Sequence, residues 1–502
     1  MVYIESQKGQ NWLLPPDIRE IIPDDHICYF VEEFVDDMDF SEFDKEVEGA
    51  GHPAYHPRIL LKVLMQGMLD KVRSSRKLER AAKENVVYMY LGERLNPNFR
   101  TISDFRKNNP KLVTETFKET VRLAQSLNLV SVEMICTDGS KIKANAGKKR
   151  AMKSESFDSL DEWIQNEIEQ GIAQDELEDK VEEDLGLKDK PKMVRREIKR
   201  VVKEYHKKLK ENPDQAKDLI KKTHQAVRAQ LAKDDMKAVS LTDPESRMMQ
   251  SKKGHYELAY NVQTSVDSKH GIIVANDVCQ ECTDTHQGQP LLEQAEQNLE
   301  RPFPEGLKVC DDADYDDPAF LKWLENRKFD AYIPLAEKGG KKKPESEQYN
   351  KKHFVYNEEA DTFTCPQRKT LPYKSDYVDK NRHFRKMYYD FKACNKCPVA
   401  QYCKGSAEKK VITATPYEAV VRRMKAKMEL QESKQVYSKR KEVSELAYAH
   451  IKYNLGFTEF LTRGLESVKS ELNLACIASN LRRIWNQIRA GGALFQQLFC
   501  PA

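Results

Sequence analysis

Apolar residues recur at helical spacing through the first quarter of the chain. Arg58–Val72 (RILLKVLMQGMLDKV) and Lys77–Gly92 carry the pattern most clearly, so residues 13–130 are expected to be helical. Thr101-Ile-Ser-Asp104 reads as a capping box opening a further helix, and Asn109-Pro110 as a cap followed by proline at the first helical position. At Val130 the pattern changes. An apolar, β-branched run leads into Thr137-Asp138-Gly139-Ser140, which on its own reads as a hairpin turn with Asp138 at the strand end. Strand patterns return at Tyr256–Val266 and Gly271–Val278, joined as a hairpin. A helix at Gln287–Leu299, a strand at Leu307–Asp311, a helix at Pro318–Lys328 and a strand at Asp330–Leu335 follow. That order predicts a mixed α/β sheet, with Asp311 and Asp312 at the C-terminal end of the fourth strand, where open sheets place their chemistry.

Two stretches break this periodicity. Residues 148–251 alternate acidic blocks with basic ones (Arg195, Arg196, Lys199, Arg200, Lys203), broken at Pro191 and Pro213, and are expected to form solvated helical arms. Residues 337–415 hold Cys365, Cys394-Asn-Lys-Cys397 and Cys403, a set able to supply four thiolates to a zinc ion, with free thiols on a loop as the alternative. The chain thus divides into a helical block at 1–128, a core sheet at 129–147 and 252–336, the two insertions, and a C-terminal helical part at 416–502.

Composition adds a partner and a compartment. Charged residues make up 32% of the 502, and mean hydropathy is −0.73. No apolar run approaches a membrane span and the N-terminus carries no secretory pattern, so a cytoplasmic protein with no membrane partner is expected. Net charge is only +3, but residues 1–50 carry fourteen acidic and three basic residues while later segments are basic. The helical block includes Arg58, Lys62, Arg73, Arg76, Arg80, Arg100 and Arg106, which makes it a helix-turn-helix candidate as well as a plain bundle. Segregated charge of this kind suits a nucleic-acid binder.

The last polar stretch, Tyr437–Lys452 (YSKRKEVSELAYAHIK), read as a helix, puts Glu445, Tyr448 and Lys452 on one stripe, with Val443, Ala447 and Ile451 towards a core. Asp138, Asp312 and Glu445 are then three carboxylates at informative places in one sheet-and-helix unit. Such oxygens suit Mg²⁺ or Mn²⁺, and two such ions together support phosphodiester chemistry.

The pieces TDGSKIKANA, DPESRMMQSKKGHYELAYNVQTSVD, DADY and Tyr437-x2-Arg440-x4-Glu445-x6-Lys452, with GHPAYHPRILLKVLMQGMLDKVRSSRKLER and TISDFRK before them, resemble the DDE transposases of bacterial insertion sequences. The resemblance implies an RNase H-like core behind a helical DNA-binding domain carrying Arg73, Arg76 and Arg106. It also implies a catalytic, metal-holding triad of Asp138, Asp312 and Glu445, with Tyr437, Arg440 and Lys452 on DNA-end phosphates. The implied partners are transposon-end and target duplexes and a second copy in the synaptic complex. Two departures stand out. Asp314 replaces a glycine, and four residues separate Arg440 from Glu445 where three are usual, which on an ideal helix turns them ~140° apart. Glu442 is the rival third carboxylate but lacks the six-residue spacing to Lys452. A non-catalytic DNA-binding derivative and a structure-selective nuclease are the alternative readings.

Overall fold

The computed structural model describes residues 17–491, apart from 42, 44–53, 148–150, 171–184, 186, 188–189, 234–237, 252–253, 336–346, 380–382 and 405–406. At its centre is a six-stranded sheet. Its strands are β1 (Met134–Lys143), β4 (Arg247–Gln250), β5 (Tyr256–Asp267), β6 (Ile273–Cys279), β7 (Lys308–Cys310) and β8 (Asp330–Tyr332). The order is β4-β5-β1-β7-β8, with β6 beside β4 on the outer edge of β5. β1 and β6 run antiparallel to β5, whereas β7 and β8 run parallel to β1 and to each other. Residues Val262–Val266 and Ile272–Ala275 are buried on both faces, as strands covered by helices must be.

β1 does not stop at Asp138. It continues through Gly139 to Lys143, with Asp138 opposite Thr264 and Gly139 opposite Gln263, so the expected hairpin turn is instead mid-strand. The helix expected to open at Thr101 begins at Phe99, where the side chain of Asn98 accepts from the backbone N–H groups of Arg100 and Thr101. Asn98 takes over the orphan donors that the capping box would have served. Pro110 does open its helix, Pro110–Ser126, as read.

The N-terminal helices keep only a small cluster of their own, Ile22, Cys28, Tyr90 and Leu91. Ile27–Asp36, Pro57–Leu69 and Pro110–Ser126 share one apolar core with the sheet and with the 26-residue helix Leu465–Ala490. Phe30 stacks on Trp485 at 5.6 Å. Asn480 ties the three layers together: its amide donates to Thr120 Oγ1 and to the carbonyl of Ile273, and its oxygen accepts from the Ile273 N–H.

The 148–251 insertion enters through the two-stranded ribbon of β2 (Ala151–Lys153) and β3 (Ala238–Ser240). Its helices Ser154–Gln170, Lys192–Glu211 and Pro213–Leu231 break at Pro191 and Pro213. They are not bare solvated arms. Val194, Ile198, Val201, Val202 and Ile220, spaced at helical intervals among the lysines, close around Phe157 and Leu160 as a second core. The 337–415 insertion forms a separate five-stranded sheet of β9 (Val355–Asn357), β10 (Thr362–Thr364), β11 (Thr370–Val378), β12 (Phe384–Tyr388) and β13 (Ile412–Ala414).

Candidate active site

Asp138 projects from the middle of β1, and Asp312 is the second residue past the end of β7. Because β1 and β7 are parallel neighbours, the two carboxylates meet. Both converge on one nitrogen: Arg440 Nη2 lies 2.9 Å from Asp138 Oδ1 and 3.3 Å from Asp312 Oδ2. Asp312 caps the 3-10 turn Ala313–Tyr315, its Oδ1 accepting from the Asp314 N–H at 2.9 Å. Burial raises its pKa above the ordinary carboxylate value. That N–H and Arg440 oppose the shift, while Asp314 and Asp284 add to it. Asp314 has no left-handed backbone here, so the glycine it replaces was not needed for conformation. Its effect is a second negative charge beside Asp312.

Asp311 points the other way. It is fully buried beneath the strands, accepts from the Thr137 N–H at 2.8 Å, and burial pushes its pKa up to about 7.

The helix lying over these strands explains the irregular spacing after Arg440. Gln431–Arg440 is α-helical, but Lys441–Glu445 is a π turn, and a second π turn spans His450–Asn454. A π turn takes up one extra residue by bonding i to i+5, so the fourth residue between Arg440 and Glu445 is absorbed as local widening. Below it, the Tyr448 hydroxyl shares its proton between the carbonyls of Asp138 at 3.0 Å and Val262 at 2.9 Å. Lys452 Nζ donates to Ser140 Oγ, two residues along β1 on the same face as Asp138. Arg440, Tyr448 and Lys452 therefore follow the strand, with Tyr437 half-buried one turn earlier. The expected stripe is split: Tyr448 belongs with the buried side, while Glu445 is exposed and stands outside the Asp138–Asp312 pair. Glu442 is exposed as well.

A carboxylate that sequence reasoning passed over sits beside the pair. Asp284 is 4% exposed and accepts from Asn261 Nδ2, Gln263 Nε2 at 2.7 Å and Lys141 Nζ at 3.2 Å. Gln263 accepts in turn from the Tyr315 hydroxyl. A Cβ on Gly139 would stand 2.5 Å from both Asp284 Oδ2 and Gln263 Nε2, so glycine follows Asp138 to admit these groups rather than to turn the chain. The sequence hints at these partners only on β5, where Asn261, Gln263 and Ser265 put polar side chains at alternate positions, and nothing beside Asp284 itself marks it.

The basic residues of the N-terminal block separate by environment. Arg73 is spent internally, with Nη2 2.8 Å from Glu471, Nη1 donating to the Gly456 carbonyl, and its guanidinium 4.3 Å from the Phe457 ring centre. Arg106 is 8% exposed and donates to the Arg73 carbonyl. Such burial leaves neither guanidinium a face for DNA, contrary to expectation, and makes Arg73 a brace between the first and last parts of the chain with Arg106 bonded behind it. Arg76, over the Phe99 ring at 4.1 Å, is exposed, as are Arg58, Lys77, Arg80, Arg100 and Lys107.

Two oxygens converging on one cationic nitrogen fit a hard divalent ion, which takes oxygen ligands. Among the described residues, no three of His, Cys, Asp or Glu already stand together as a metal set. No helix among them is long and apolar enough to cross a membrane.

Searches of curated proteins and of solved structures return no match. Two family models do match: residues 16–108 match a transposase domain (DUF772), and residues 364–485 match a transposase DDE domain. The second span contains Arg440, Glu445, Tyr448 and Lys452. The two matches, covering the N-terminal helices and the helix over the carboxylates, support a DDE transposase family for this chain.

Proposed function

We propose that the protein is the transposase of an insertion sequence, binding terminal inverted repeats and carrying out metal-dependent DNA cleavage and strand transfer. The observation that carries this reading is the meeting of Asp138 and Asp312 at one cationic nitrogen, under a helix inside the DDE-domain match. The sheet order supports an RNase H-like core: antiparallel β6, β5 and β1, with short β4 at the edge of β5, are followed by parallel β7 and β8, and the carboxylates lie on β1 and just past β7.

Water attacks a phosphodiester at the element's end and frees a 3′-hydroxyl, which then attacks target DNA. Bound Mg²⁺ or Mn²⁺, two ions in the full reading, would supply an activated oxygen nucleophile and stabilise the leaving oxygen. Asp138 and Asp312 would hold those ions, with Glu445 as the third carboxylate of the set. Arg440 neutralises the two carboxylates, and with Tyr437 and Lys452 it would offer donors to DNA-end phosphates. Exposed Arg76 and its basic neighbours take backbone phosphates. Two copies would hold the two ends together.

The test is incubation of the purified chain with Mg²⁺ or Mn²⁺ and duplexes bearing the inverted repeats that flank its gene. Nicking that leaves a 3′-hydroxyl, followed by joining to a second duplex, is the expected result. Binding of those ends with no cutting under any divalent ion would refute the enzymatic reading. Glu445→Gln should bind ends like wild type yet lose cleavage.

A further inference from the structure

The 337–415 insertion has too little core for its sheet. Its buried apolar cluster consists of Phe354, Phe363, Leu371, Tyr388, Ile412 and Ala414, while Val355, Val378 and Phe384 are each more than half exposed. Small folds with so little buried area draw on a covalent or metal staple.

Four cysteines lie where such a staple would act. Cys365, Cys394 and Cys403 pack against that cluster, and with Cys397 they line a single cavity of about 30 Å³, room for about one small ion or water. All four are half-buried free thiols. Cys365 forms the turn between β10 and β11. Its N–H donates to the Lys369 carbonyl at 2.9 Å, and the Lys369 N–H points back at Cys365 Sγ at 3.3 Å. Cys394 and Cys397 are joined by a tight turn, the Cys397 N–H donating to the Cys394 carbonyl at 3.4 Å, and Cys403 closes the helix Ala400–Cys403. Lys404 and Lys410 line the same cavity, and Lys410 Nζ donates to the Cys403 carbonyl at 3.2 Å.

We propose that Cys365, Cys394, Cys397 and Cys403 hold one structural zinc ion in a closed four-thiolate site, separate from the Asp138–Asp312 centre. No three of the sulfurs already form a metal set, so binding draws them inward across the cavity towards the ~2.3 Å Zn–S distance. Four thiols lose their protons to solvent, four Zn–S bonds form and nothing is oxidised. The resulting −2 charge faces Lys404 and Lys410. The effect reaches the active site through packing. Lys351 pairs with Glu418 at 2.7 Å and Arg422 lies over Phe363 at 5.2 Å, so the stapled sheet braces the helix Glu418–Glu429 that leads to the Arg440 helix.

The test is elemental analysis of the full-length chain, purified and dialysed in metal-free buffer. About one zinc per chain is expected, falling below about a tenth in the C394S/C397S double variant and unchanged in C279S. Should the double variant fail to fold, the wild-type chain refolded with Co²⁺ gives an independent reading, since a four-thiolate site produces a strong sulfur-to-cobalt absorption. A zinc-free wild-type chain with all eleven thiols free to titrate would overturn the proposal. So would a disulfide among the four, or full zinc retention in the double variant.

Discussion

Arg440 holds together two carboxylates that would otherwise repel each other in a half-buried site. Its guanidinium carries the positive charge at the point where Asp138 and Asp312 meet. Gly139 is as specific to the site as the charges are. Gly139→Ala would push a methyl group against Asp284 and Gln263, groups fixed by Asn261, Lys141 and Tyr315, and so unable to yield cheaply. A loss of about 1–3 kcal/mol in chemical denaturation is expected, typical of forced overpacking. An unchanged midpoint would show that Asp284 is not held there. Asp138 and Asp312 were singled out through the resemblance of TDGSKIKANA and DADY, since local pattern alone read Asp138 as a hairpin turn and did not separate Asp312 from Asp311. Asp284 was not, because nothing near it in the chain announces the partners that converge on it from β1 and β5. Arg73 and Arg106 misled for the same reason: their partners lie hundreds of residues away or across a helix, and charge alone does not reveal burial.

The segment Gln431–Asn454 shows how an element can carry a spacing that regular geometry forbids. The extra residue after Arg440 argued against one continuous face on an α-helix, and the π turn resolves it without breaking the helix. Periodicity arguments assume a fixed 3.6 residues per turn, so this feature was beyond their reach. Tyr448 then fixes the element's height over β1 and β5. Tyr448→Phe removes a donor from one buried and one partly buried strand carbonyl and should cost about 1–2 kcal/mol in urea unfolding. His450, in the second π turn, adds a pH dependence. Burial lowers its pKa to about 4 from an ordinary 6.5, with Arg483 and Arg482 pushing the same way. Between those values the unfolded chain binds a proton that the folded chain does not. Stability from this group is therefore present above about 6.5 and lost as pH falls towards 4. His450→Gln should flatten the melting temperature against pH in that window, and an identical slope in variant and wild type would remove His450 as its source.

Across the whole molecule, element type was readable and assembly was not. The order of β1, β5, β6, β7 and β8 with the helices between β6 and β8 follows from periodicity, though the short β2, β3 and β4 escaped it, and Pro191, Pro213 and Pro110 mark boundaries where the structure has them. The shared core of the N-terminal helices, the sheet and Leu465–Ala490 rests on contacts between chain ends, which no local pattern encodes. The core of the 148–251 insertion was hidden by its lysines, whose number outweighs the thin apolar stripe they flank. With Arg73 and Arg106 committed internally, DNA affinity falls to the exposed cations. Arg76→Ala should weaken end binding and reduce the slope of log affinity against log salt by about one, whereas Arg73→Ala should first lower folding stability.

The measurement that bears most directly on the central claim is divalent-ion-dependent cleavage of inverted-repeat duplexes by the wild-type chain beside Asp138→Asn and Asp312→Asn, with folding checked by thermal melting. The expected result is that both variants fold and bind the ends, while strand cleavage falls by about a thousandfold or more in each. Cleavage by either variant at the wild-type rate would contradict the assignment of these two carboxylates as the reaction centre.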